Sequence, residues 1–98
     1  MQRNNNQTTG AELIARERNE QIVKHGFDET RDTQYYAEGE LIDAANFCLG
    51  TSAFPSNWNK IYAEKIMKKN KLDKLKVAGA LIAAEMDRLI SLGMKSED

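Results

Sequence analysis

Apolar positions recur along this chain at intervals of three and four, and no segment shows the strict alternation or hairpin turn of a half-buried strand. The spacing predicts an all-α fold. A first helix opens at Gly10, where Thr9 and Glu12 make a capping box, and Gly26 after Lys24 and His25 gives it a stop. A central helix follows over 33–49, with Asp32 or Thr33 as its cap and Gly50 as its end. Thr51 to Trp58 reads as a loop holding the single proline, Pro55, and the single tryptophan, Trp58. A short helix over 58–68 and a last one over 72–92, stopped by Gly93, complete the chain. The expected architecture is a small antiparallel bundle of three to four helices. Residues 1–9 form a flexible polar arm, 10–93 a single domain and 94–98 a frayed tail.

Two of these helices share a wording. Gly39, Leu41, Ile42 and Ala44 return, without a gap, as Gly79, Leu81, Ile82 and Ala84. Each copy mixes small residues with Leu-Ile, a composition that lets two helix backbones approach closely. The wheels put Leu41, Ile42, Ala45 and Leu49 on one face, and Ala78, Leu81, Ile82 and Leu89 on the other helix's face. The expected core is Leu41, Ala45, Cys48, Ala78, Ile82 and Leu89, with Ile14 and Ile22 from the first helix. The small-residue faces, Ala44/Ala45 and Ala78 to Ala84, exceed what one small bundle can use. That predicts a homo-oligomer, with a two-fold dimer the commonest form.

Polar groups interrupt these faces. Glu38 and Glu85 project among apolar residues, and the first helix places Arg18, Gln21 and His25 on or beside its Ile14–Ile22 face. Carboxylates are rarely buried unless paired. Two explanations stand: a buried ion-pair network in which Arg18 bridges Glu38 and Glu85, or a pocket in which the same groups orient a small polar ligand. Trp58 either anchors its loop or offers an aromatic platform to a planar ligand.

Composition narrows the setting. With 98 residues, 41% of them hydrophobic and 30% charged, the chain suits one small soluble domain. A net charge of −1 argues against bulk nucleic-acid binding. The seven lysines between Lys60 and Lys76 could hold an anion or an acidic partner, or form a solvated face. The polar start is no secretory signal, and no apolar run is long enough for a membrane span. One cysteine excludes an intrachain disulfide and fits a reducing cytoplasm, and with the lone His25 it makes no zinc set.

Several short motifs carry a resemblance. Glu17-Arg18-x-x-Gln21-Ile22, Gly26-Phe27, Asp32, Gly39-Glu40-Leu41 with Ala44-Ala45, Pro55-x-x-Trp58, and Lys76-x-Ala78-Gly79-Ala80-Leu81-Ile82-x-Ala84-Glu85-x-Asp87-Arg88-Leu89 resemble a family of small, mostly uncharacterised bacteriophage and prophage proteins. The similarity covers about residues 16–90, and its last block is the most specific. It implies a phage origin, hence a host cytoplasm, and a one-domain helical fold, with no activity to carry over. A weaker similarity is to MazG-type all-α nucleoside-triphosphate pyrophosphohydrolases, which hold magnesium on Glu-x-x-Glu and Glu-x-x-Asp pairs. Glu40-x-x-Asp43 has that spacing, on a face opposite the apolar stripe. Glu85-x-Asp87 does not: its members point about 200° apart, and Arg88 takes the fourth position.

The functional expectation is a non-catalytic binder of a small nucleotide-like ligand, such as a host defence signalling nucleotide that a phage would sequester. Arg18, Gln21, His25, Glu38, Trp58 and Glu85 are its candidate binding residues, with no metal or other cofactor implied. A magnesium-dependent pyrophosphohydrolase and a protein-binding inhibitor of a host enzyme are the alternatives.

Overall fold

A computed structural model of the protein describes residues 8–25 and 39–97, and the side chains of Lys24 and His25 lie outside that description. The described residues hold four α-helices: α1 Gly10–His25, α2 Glu40–Cys48, α3 Lys60–Met67 and α4 Lys71–Ser91. No strand occurs among them, and none of these helices is long and apolar enough to cross a membrane.

Each helix begins for a local reason. At α1 the capping box forms as its residues predict: Glu12 N–H donates to Thr9 Oγ1 at 3.0 Å, and Thr9 N–H reaches back to Glu12 Oε1. Asn59 and Asn70 cap α3 and α4, each side-chain oxygen accepting a backbone N–H of the first turn. Helix α2 has no side-chain cap. The chain enters it through Gly39, at φ 86° and ψ 15°. That left-handed conformation cannot continue a right-handed helix, so the expected helix over 33–49 is corrected to one starting at Glu40. Residues 33–38 lie outside the described part.

The core is built on α4, against which both α1 and α2 pack along their length while α3 touches it lightly. One apolar cluster joins Leu41, Ala44, Ala45 and Cys48 of α2, Ile66 of α3, and Val77, Ala78, Leu81 and Ala84 of α4. Small residues dominate it, which is how the two backbones come close. The loop after α2 closes one side with an aromatic group in which Phe54 meets Phe47, Trp58 and Tyr62 edge-on at 5.1–6.1 Å. These rings pack on the cluster, so Trp58 anchors its loop.

Two expectations about faces are corrected. Ile82 and Ile22 are exposed, as are Ile42 and Leu49, and Ile14 and Leu89 are only half-buried. In α2 and α4 the true inward face is rotated by about one position toward the alanines, whereas in α1 it turns toward Glu17, Arg18 and Gln21, with Ala11 and Ala15 exposed. The small residues expected to be surplus are therefore used inside the protomer: Ala44, Ala45, Ala78, Ala80 and Ala84 are all buried. The repeated wording survives in burial at Leu41/Leu81 and Ala44/Ala84, both fully inside, and at Ile42/Ile82, both outside. It fails at the glycines. Gly39 turns the chain, whereas Gly79 sits mid-helix, where a Cβ would come within 2.5 Å of Ile14 Cδ1.

Candidate functional site: a polar seam between the first and last helices

Helix α1 lays on α4 a face spaced as a core face should be, at Ile14, Glu17, Arg18 and Gln21. Only the first of these is apolar. Ile14 fills the space left by Gly79, and this contact brings the two helices close enough for the polar residues beyond it to reach α4.

Adjacent residues of α1 then take different partners. Arg18 donates from both Nε and Nη2 to Asp87 Oδ2 at 3.0 Å. Glu17 lies 3.9 Å from Lys76 Nζ, which is also 3.6 Å from Asp73. Burial raises the Glu17 carboxyl above its ordinary range, with Glu20 and Asp73 adding repulsion and Lys76 and Lys69 opposing the rise. On α4 itself Arg88 grips Glu85 with two parallel bonds, Nε to Oε1 at 2.6 Å and Nη2 to Oε2 at 2.8 Å.

Gln21 ends the described part of the seam. Its side chain is fully buried, and neither its amide oxygen nor its amide nitrogen has a hydrogen-bond partner. Buried polar atoms are nearly always paired, because a lone one keeps the whole cost of leaving water. Here a donor and an acceptor on one side chain are both left over.

The candidate residues thus fall into three groups. Arg18, Gln21 and Glu85 come together on the α1–α4 seam, but the expected Arg18–Glu85 bridge is replaced by two separate pairs, Arg18–Asp87 and Glu85–Arg88. Trp58 belongs to the aromatic group of the core. Glu38 and the His25 side chain lie outside the described residues.

Sequence reasoning missed Glu17 and Arg88, both nearly buried, although Glu17 completes the Ile14–Arg18–Gln21 spacing and Arg88 lies seven positions after Leu81. It also misplaced Glu40, which is buried rather than opposite the apolar stripe and accepts a bond from Asn57 Nδ2 at 3.3 Å. Its companion Asp43 is exposed. Among the described residues no three His, Cys, Asp or Glu side chains converge as a metal site would require. Comparison with protein-family models, curated proteins and solved structures found no match for this chain.

Proposed function

We propose that the protein is a non-catalytic binder of a small nucleotide-like ligand, held on the α1–α4 seam. The observation that carries this reading is the unpartnered amide of Gln21, fully inside the fold. Such a group weakens the free protein by about 1–3 kcal/mol, and a ligand that meets it recovers that cost. An amide presents a donor and an acceptor side by side, the pattern that matches the edge of a nucleobase. Arg18, one turn back on the same face, supplies the charge-assisted bond that a phosphate or a sugar hydroxyl would take.

The pyrophosphohydrolase alternative is less well supported. Its magnesium needs free carboxylates on neighbouring faces, whereas Glu85 is engaged by Arg88, Asp87 by Arg18, and Glu40 and Asp43 differ in burial. On the phage origin that the sequence motifs imply, sequestration of a host signalling nucleotide is the role we assign to binding without turnover.

Titration of the protein against a panel of nucleotides, with and without magnesium and with product analysis, tests the reading. Binding without product, weakened about ten- to a hundredfold in Arg18→Ala, is the expected outcome. Magnesium-dependent product would establish the hydrolase instead. No binding to any member would remove the ligand reading and favour a protein partner. Gln21 is closed to solvent, so α1 must shift on α4 to admit the ligand, and association should be slower than encounter.

A further inference from the structure

Glu17 lies one turn before Gln21 on the face that α1 lays on α4, and the ligand contacts assigned above leave it unused. Positions four apart on a helix are neighbours on one face, their Cβ atoms about 5–6 Å apart. Both residues are buried, Gln21 completely and Glu17 to 9% exposure. Neither side chain has a hydrogen-bond partner among the described residues. The contact of Glu17 with Lys76, at 3.9 Å, is too long for a hydrogen bond, and Lys76 is shared with Asp73. Lys76 therefore favours the charged form of a carboxyl that burial opposes, without filling its acceptor positions. The seam thus sets an amide donor and an amide acceptor, both unused, beside a carboxylate that can only accept.

Resting on the nucleotide-binding function proposed above, we propose that the base this seam recognises is guanine, with Gln21 reading two positions of its edge and Glu17 the third. The Watson–Crick edge of guanine runs acceptor, donor, donor, at O6, N1–H and N2–H. Gln21 Nε2 donates to O6, Gln21 Oε1 accepts from N1–H, and a Glu17 carboxylate oxygen accepts from N2–H. Both unpartnered atoms of Gln21 and the buried carboxylate gain their bonds from one ligand. The other bases satisfy the amide alone. Hypoxanthine repeats the first two positions, and adenine matches them with the amide turned over, but each has only a C–H at the third. Uracil and cytosine place a carbonyl oxygen there, an acceptor against an acceptor. Guanine alone brings a donor to Glu17. Discrimination of this kind is strong because the wrong ligand leaves buried polar groups of the site unpaired.

Titration of the full chain with guanine, hypoxanthine, adenine and uracil nucleotides of equal phosphate content provides the test. The guanine nucleotide should bind tightest. Hypoxanthine and adenine should be weaker by roughly ten- to a hundredfold, the scale of one hydrogen bond to a charged group, and uracil weaker still. Hypoxanthine is the sharpest comparison, since it differs from guanine only by the missing N2 amino group. Glu17→Met keeps the bulk and removes the acceptor, and should bring the guanine-to-hypoxanthine ratio close to one. A general loss of stability would lower both affinities together and leave that ratio in place. Wild-type protein that binds hypoxanthine or adenine as tightly as guanine would overturn the choice of base and leave nucleotide binding standing. A Glu17→Met protein that still prefers guanine to hypoxanthine would remove Glu17 from recognition. Absence of binding by all four would remove the proposed function and the choice of base together.

Discussion

Helix α4 carries two seams of opposite chemistry. Against α2 it sets Val77, Ala78, Leu81 and Ala84 on Leu41, Ala44, Ala45 and Cys48, with no charge in the cluster. Against α1 it sets Lys76, Gly79 and Asp87 on Glu17, Ile14 and Arg18. The dry seam removes apolar surface from water, at roughly 25 cal/mol per Å², and so holds the fold. The polar seam buries charges whose desolvation offsets most of what their pairing returns, and it includes an amide with no partner at all. Stability alone would fill that seam with leucines. On the proposed function, the difference separates the part of the molecule that keeps it folded from the part that recognises the ligand.

The largest expected effect lies on the dry side. Leu81→Ala, at a fully buried position, should lose about 2–5 kcal/mol in chemical denaturation. A loss below about 1 kcal/mol would mean that the two seams share the work and would break the contrast.

The polar side should respond in the opposite direction. Gln21→Met keeps the volume and removes both unpaired atoms, so the free protein should gain about 1–3 kcal/mol while nucleotide binding disappears. A destabilised Gln21→Met protein would show that the amide is satisfied in solution.

A third test separates steric fit from charge on the α1 side. Gly79→Ala overpacks Ile14 at a cost of about 1–3 kcal/mol, from which the better helix propensity of alanine recovers about 1 kcal/mol. The net is a small loss, and in an Ile14→Ala background the same change should become stabilising. Equal effects in both backgrounds would mean that α1 does not rest on Gly79.

The smallest effect is electrostatic. Burial raises Glu17, so its protonated form favours the fold; that contribution is complete below the ordinary value of 4.5 and is lost as pH rises through the raised one. Glu17→Gln should therefore be more stable than wild type at pH 7, with the gap closing as the pH falls below 4.5. Parallel denaturation at both pH values checks it. A gap that stays constant would mean that Glu17 is solvated.

The all-α character, the first helix's cap and most boundaries among the described residues were legible because each rests on a few neighbouring residues, as Thr9 with Glu12 does. The Asn59 and Asn70 caps rest on equally local residues and were not read. The inward faces were harder to read. Size misleads where helices approach closely: the wheel favoured Ile42 and Ile82, while the contact is made by Ala44 and Ala84. Helix α4 is also apolar on more than one side, and periodicity cannot say which side meets a neighbour. At the site, Arg18 and Gln21 were legible because they interrupt an apolar run. Glu17, Glu40 and Arg88 were not, since a charged residue defaults to solvent and its burial depends on partners far along the chain.

That α4 is the common partner also sets an order of events. The Arg18–Asp87 contact joins positions 69 residues apart, and the core needs α4 to cover α2. During synthesis, a chain that has grown only to residue 70 holds three of the four described helices, with neither seam to close. Folding from the N-terminus onward is thus blocked, and the rate should be governed by α4 capturing distant segments, a slow, loop-closing search for so small an all-helical protein. Until α4 emerges, Leu41, Cys48 and Ile66 lack the cover that Val77, Ala78, Leu81 and Ala84 provide, and only the aromatic group around Phe54 shields them.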